Sequence, residues 1–344
     1  MKSYKTIDMI MLLLVVVLVI ILFFGSTYLY QEPIRKFEST ENMMDTFVTI
    51  TVYTGDESKA NNVINMAFDE MKRIENIAST WNSSAEAYHL NQEKQLNNPS
   101  YELFEMITLS KYFFDLTEGY FDITVQPLLD LWSYDPSLDK QMWELNNSEQ
   151  IDKINVVKPF IGSNYIQMID SPKYIGFENE NMSITLGGIA KGYIVDAGIN
   201  VLKNNDISYG LINAGGDIST VGGKPDGSWA IAMENPENTQ AFITRFKVED
   251  KAVATSGNYI RYFNESAKVG HILDPKTGFS ANKCWSVSII ADNCTYADTL
   301  ATGVFVMGPE EGLELINGID NTECFIIDSS GEIYRSDGIE VYEY

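Results

Sequence analysis

Near the C-terminus the chain reads YADTLATGVFVMG, residues 296–308, which sets Asp298 and Thr302 four positions apart. On a helix that spacing projects both oxygens from one face. A carboxylate beside a hydroxyl is hard-oxygen chemistry, suited to Mg2+ rather than zinc. Two protein oxygens do not fill an octahedral shell, and Mg2+ commonly completes it with water and substrate phosphate. A solvated helix face explains most such pairs. Here the flanking Leu300, Val304, Phe305 and Val306 argue for burial. A buried Asp is costly unless a cation or hydrogen bonds compensate it.

Three further stretches carry residues of chemical interest. LGGIAKGYIVDAGINVL, 186–202, is a strand-to-helix junction with glycines at 187, 188 and 192 and Lys191 in the first turn. Exposed N–H groups and the helix dipole there make an anion cradle, although the P-loop spacing is absent. The competing reading is a glycine turn that lets the helix pack closely. NAGGD, 213–217, reads as a tight hairpin turn, or as a place where backbone approaches a ligand. His271 is one of two histidines in the chain, and it precedes Asp274, Pro275 and Gly278, a turn-rich run that also follows Arg261. A lone histidine is more often structural than catalytic; the neighbouring Asp and Arg narrow that gap.

These residues must be positioned by an α+β fold. MMDTFVTITVY, 43–53, alternates and is rich in β-branched residues, so it reads as a strand. Val63, Ile64, Ala67, Met71, Ile74 and Ile77 give 57–78 a helical period. STWNSSAEAYHLNQ follows as a polar loop, and 103–117 is helical again, ending at Gly119. The aromatic run 120–134 is broken by Pro127, and the Asn-rich stretch 135–150 reads as a lobe boundary or a surface insertion. Short strands are then expected at YIQMID, YIGFEN and SITLGG, a helix from about 189 to 204, and strands at ISYGLINAGGD, 229–234, 242–248 and 286–291. The pattern is a mostly antiparallel sheet with packed helices.

Composition bounds the function. The net charge is −24, and no Lys/Arg cluster interrupts the acidic excess. A phosphate backbone would be repelled, so nucleic acid is not an expected partner. Any phosphate-bearing ligand needs backbone N–H groups, a local cation or a divalent metal. MIMLLLVVVLVIILFF, 9–24, is long enough to cross a bilayer, and Lys2 and Lys5 before it put the N-terminus in the cytoplasm. No small-x-small cleavage site follows, and no cysteine precedes position 284. The expectation is an uncleaved anchor over 1–30, with a cleaved signal segment as the competing reading, a spacer over 31–42, and a single domain, with one or two lobes, over 43–344 outside the cytoplasm. Cys284, Cys294 and Cys324 are a poor disulfide framework; one extracytoplasmic pair and buried free thiols both fit.

Taken together, the motifs resemble the ApbE family, the FAD:protein FMN transferases. The resemblance runs from about residue 40 to the end through eight ordered blocks: MMDTFVTI, ENIASTWNSSAEAYHLN, GYFDITVQPLLDLW, LGGIAKGYIVD, INAGGDI, SGNYIRY, HILDPKTG and ADTLATGVFVMG. It implies that FAD binds with Mg2+ on its pyrophosphate. A Ser or Thr hydroxyl of an acceptor protein then attacks the FMN-side phosphorus, and AMP leaves. It places Met44 and Trp81 where the family contacts the flavin nucleotide, and Tyr120, Phe121 and Asp122 on the adenosine side. Thr185, Lys191 and Ile272 fall at further FAD-contacting positions. The metal falls to Asp298, Thr302 and the backbone carbonyl of Gly188. His271 is the candidate base for the incoming hydroxyl, with Asp274 as its orienter or substitute. Two departures stand out: Thr185-Leu186 replaces an acid-Leu pair, and Asp45 replaces the usual Gly after Met44. The alternatives are an FAD pyrophosphatase giving FMN and AMP, a non-catalytic FAD-binding surface protein, and a ligand-free ectodomain. No Ser/Thr-Gly-Ala-Thr acceptor stretch occurs, so self-modification is not expected.

Overall fold

The computed structural model describes Met9 and residues 11–20, 32–235, 238–257, 262–264, 266 and 269–344. Residues 11–20 are helical. The rest of the expected membrane span, and Arg261, lie outside the described residues. Among the described residues no helix is long and apolar enough to cross a membrane.

The expected spacer is replaced from Arg35 onward by a strand. β1 (Arg35–Met43) pairs in full register with β2 (Thr46–Thr54). The two-residue turn between them, Met44-Asp45, has φ of 51° and 55°. Both values are left-handed, as a hairpin of this length requires. Glycine adopts such a conformation without strain, and Asp tolerates it better than most residues. α1 (Glu57–Ala78) starts where Asp56 accepts from the Lys59 N–H, and it buries Val63, Ile64, Ala67, Phe68, Met71 and Ile74. The stretch expected as a polar loop contains α2 (Glu86–Glu93) before β3 (Gln95–Asn97). α3 (Tyr101–Leu116) is capped by Ser100 and closes at Gly119, whose φ is 82°. Two short helices, α4 (Gln126–Trp132) and α5 (Asn147–Val157), flank the expected lobe boundary at 135–150, which itself holds one 3-10 turn at Met142–Glu144. β4 (Ile166–Asp170) and β5 (Lys173–Phe177) join β3 in a small sheet. SITLGG forms no strand. Its backbone is held instead by the Asn91 amide at Ile184 and by Ile123 at Thr185.

The second half supplies the rest of the scaffold: α6 (Ala190–Asn204), β6 (Gly210–Ala214), β7 (Asp217–Val221), β8 (Trp229–Asn235) and β9 (Asn238–Val248). β10 (Ala252–Gly257), β11 (Tyr262–Asn264), β12 (Val269–Gly270) and β13 (Cys284–Ala291) follow. The chain ends with α7 (Cys294–Met307), α8 (Pro309–Asn317), β14 (Glu323–Asp328) and β15 (Ile333–Arg335). The main sheet has eight strands in the order β1-β2-β6-β7-β10-β13-β14-β15, and its pairings are antiparallel.

Alternation along the central strands builds two layers on this sheet. Ala252, Ala254, Val287, Ile289, Cys324 and Ile326 face the layer of α1, α6 and α7. Val253, Ile290, Phe325 and Ile327 point the other way, under the β8–β9 hairpin and its Trp229, Met233 and Phe246. A third apolar cluster joins Leu128 and Trp132 of α4 to Ile154 of α5 and to Leu273. The three cysteines are buried free thiols.

Candidate active site

The site begins with α7. This helix is apolar nearly all round and buried along most of its length, as a core helix must be. Asp298 is nonetheless in it, only 4% exposed. Its Oδ2 accepts from the Gly192 N–H at 2.9 Å. Among the described residues its Oδ1 accepts no hydrogen bond. One turn on, Thr302 lies against the glycine corner: a Cβ on Gly188 would stand 3.0 Å from the Phe121 ring and 3.4 Å from the Thr302 hydroxyl. The Thr302 and Ser256 hydroxyls are 3.3 Å apart. This apolar helix and the Gly188 turn therefore meet, through residues 114 positions apart in sequence.

Two features hold α6 against α7. A Cβ on Gly192 would press into the carbonyl oxygen of Cys294, so only glycine allows the helices this close. Asp196, one turn later on α6, receives the N–H groups of Cys294 and Thr295 at 2.8 Å and the Thr295 hydroxyl at 2.5 Å. It satisfies orphan donors at the start of α7. Burial raises its pKa despite those bonds.

The electrostatics centre on Lys191. Its ammonium pairs with Asp217, the first residue of β7, which is buried. Burial alone would lower the Lys191 pKa; the Asp217 and Asp298 carboxylates overcome it and raise the value. Asp298 is pushed up to about 7, first by burial and then by the Asp217 carboxylate, with Lys191 and the Gly192 N–H opposing.

Asp298, Thr302, Gly188 and Lys191 all face one cleft of about 550 Å³, a size usual for small-molecule sites. Tyr120, Phe121, Asp122 and Thr185 line it too, as do Trp81, His271 and Ile272. Trp81 is 82% exposed at its mouth. The Lys276 ammonium stands 3.4 Å from the Tyr120 ring centroid, and Lys283 lies farther out over the same ring. The Asp122 carboxylate is fully engaged on one oxygen by the Thr124 N–H and the Thr124 and Ser163 hydroxyls; burial still raises its pKa.

Two expected residues fall elsewhere. Met44 is not on the cleft wall; it packs against the main core, and its N–H donates to Glu75 at 2.7 Å. Asp274 is also off the wall, with both carboxylate oxygens spent inside its own turn, on the Lys276 N–H and on the Thr277 hydroxyl. Those bonds shape the loop that follows His271. Sequence reasoning missed Asp217 and Ser256. The acid of NAGGD has no partner that its own stretch reveals, and a serine within a strand has no chemical signature of its own.

The donor set suits a hard cation. Among the described residues no three His, Cys, Asp or Glu side chains gather as a metal cluster. The Asp298 carboxylate and the Thr302 hydroxyl stand with the Gly188 turn on one cleft wall, an oxygen set of the kind a hard cation takes together with water and phosphate.

A sequence model described as the ApbE family matches residues 44–326. A curated protein from Klebsiella pneumoniae (strain 342), named FAD:protein FMN transferase, is 25% identical over 301 residues, covering 85% of this chain and 84% of its own. One of the same name from Haemophilus influenzae is 29% identical over 259 residues, 71% of this chain and 72% of its own. Among solved structures, the ApbE protein of Thermotoga maritima superposes with a TM-score of 0.79 at 28% identity, over 90% of this chain and 100% of its own. The flavin transferase ApbE of Vibrio cholerae gives a TM-score of 0.75 at 25% identity, over 90% and 100%.

Proposed function

The chain belongs to the ApbE family, and from that premise we infer that it is an FAD:protein FMN transferase working in the cleft between the Gly188 corner and α7. One observation carries this reading: the carboxylate of Asp298 keeps an open oxygen on the cleft wall beside Thr302 and Gly188, and Lys191 lies on the same wall.

The reaction proposed is Mg2+-dependent. A Ser or Thr hydroxyl of an acceptor protein forms a new ester bond to the FMN-side phosphorus of FAD. The bond from that phosphorus to the bridging oxygen breaks, and AMP leaves. Bound Mg2+ supplies charge neutralisation to the pyrophosphate. The chain's own residues do the rest. Asp298, Thr302 and Gly188 fix the position of the cation. Lys191 adds a positive charge beside the phosphates. Tyr120 and Phe121 offer aromatic surface to the nucleotide. His271 accepts the proton of the attacking hydroxyl, since it lines the same cleft and imidazole titrates near neutral pH. Aromatic and apolar walls keep bulk water from competing with the acceptor.

The apolar run at 9–24, with lysines before it, supports a cell-membrane protein held by one N-terminal helix, with the catalytic domain on the extracytoplasmic side. Its partners are then FAD and an extracytoplasmic acceptor protein.

Incubating the protein with FAD, Mg2+ and an acceptor carrying a Ser/Thr-Gly-Ala-Thr segment tests the reading by mass spectrometry. The acceptor should gain FMN, and an equal amount of AMP should appear. FMN and AMP without acceptor labelling would make it a pyrophosphatase, and FAD binding without either product would leave a binding protein. His271→Ala should lower the labelling rate about 100-fold or more; an unchanged rate removes His271 as the base.

A further inference from the structure

We infer that Asp217 is a positioning residue, which holds the Lys191 ammonium away from Asp298 and so keeps the Asp298 carboxylate open to a divalent cation. The inference rests on the metal-dependent reading above.

Asp217 follows two glycines, Gly215 and Gly216, with φ of 64° and 105°. These left-handed residues reverse the chain between β6 and β7, and the reversal buries Asp217: its side chain is 2% exposed, whereas that of Lys191 is 29% exposed. Asp217 is not on the cleft wall, but Lys191 is. The carboxylate thus grips from behind an ammonium whose stem passes along the cleft.

The alternative partner stands close by. Gly192, the residue after Lys191, donates its N–H to Asp298, so the lysine springs from backbone already bonded to that carboxylate. The Lys191 charge acts on Asp298, and the Asp298 charge acts on Lys191. A lysine stem is flexible, and an ammonium has three donors. Besides Asp217, Asp298 is the carboxylate whose charge acts on that ammonium. Pairing there would fill the seat that a cation needs.

A purely structural salt bridge between α6 and β7 would make a different prediction. It would move stability and leave cation affinity alone. A positioning role moves cation affinity, and moves it through Lys191.

Mn2+ binding to the full-length protein without FAD, followed by the loss of the free-ion electron paramagnetic resonance signal, separates the cases. The wild type should bind one Mn2+ that Asp298→Ala loses. Asp217→Asn should weaken this binding about 10- to 100-fold, as loss of residues that orient a metal's ligands commonly does. Asp217→Asn combined with Lys191→Met should restore most of the affinity, and it keeps the test available if the single variant does not fold. Unchanged affinity in Asp217→Asn, or no recovery in the double variant, overturns the inference. Charge balance alone also predicts recovery, so a crystal structure of Asp217→Asn decides between the two. Lys191 paired with Asp298 is the expected result, and Lys191 still lying against position 217 refutes the positional account. A wild type with no Asp298-dependent Mn2+ site overturns the metal reading itself, an outcome distinct from wild-type binding that Asp217→Asn leaves intact.

Discussion

Raising the pH in the absence of a divalent cation is expected to destabilise this protein through Asp298. The ordinary value for such a carboxyl is 3.8, and burial with the nearby Asp217 pushes it up to about 7. Ionising it inside the cation-free fold therefore costs about 4 kcal/mol relative to the unfolded chain. The sign follows from the raised value. The protonated form is the one the fold favours, so the stability is fully present below the ordinary value and is lost as pH rises towards 7. From pH 5 to pH 8 the expected loss is about 3 kcal/mol. Asp122 and Asp196 are also raised by burial, so the quantity to measure is a difference. Urea unfolding of wild type and of Asp298→Asn, in EDTA across this range, gives two curves whose separation should shift by that amount. Mg2+ should then stabilise the wild type above pH 7, with apparent affinity falling about tenfold per pH unit below it as the proton competes. Parallel curves in EDTA, or equal stabilisation of both proteins by Mg2+, would refute the reasoning.

Three further outcomes test the geometry around that carboxylate. Gly192→Ala should cost at least about 2 kcal/mol in urea unfolding and weaken Mg2+ binding, because the new methyl meets the Cys294 carbonyl and lies 2.9 Å from Asp298 Cβ; a fully stable variant would mean that α6 and α7 are not in contact there. Asp196→Ala leaves two N–H groups and a hydroxyl at the start of α7 without their acceptor and should lower stability by about 3 kcal/mol, with an unshifted melting temperature counting against it. Asp274→Asn keeps an oxygen for the turn that precedes Gly278 and should label the acceptor at close to the wild-type rate, while a fall as deep as that of His271→Ala would return Asp274 to the proton path.

How far the sequence spoke depended on the range of the signal. α1 and α7 were legible because helical periodicity and apolar content are local properties. The antiparallel character followed from alternation and turn residues. β1 was not legible: RKFESTENM carries charges and polar residues because it is an edge strand with one face in water, and such strands resemble spacers. SITLGG misled in the opposite direction. Its β-branched residues met side-chain and loop partners rather than a strand, which no local pattern encodes. The site divided in the same way. Asp298 and Thr302 could be paired by their spacing on one helix, and Gly188 came only from family resemblance, since a backbone carbonyl has no side-chain signature. Asp217 and Ser256 depend on which strands become neighbours, and that is a property of the closed sheet.

The overall charge of −24 poses the problem that any dinucleotide would meet, and the cleft answers it locally. Among the described residues on its wall the acids are Asp122 and Asp298. Asp122 is withdrawn from the electrostatics: burial favours its neutral form, and three donors converge on it. Asp217 is spent on Lys191, while Lys276 and Lys283 stand over Tyr120. Among the described wall residues Asp298 is thus the carboxylate left to attract a cation, and a doubly charged ion on it would turn the floor of the cleft positive while the rest of the surface remains acidic. On the proposed reading a pyrophosphate would be held only where the metal is, which would tie substrate binding to the atom that neutralises its charge during transfer.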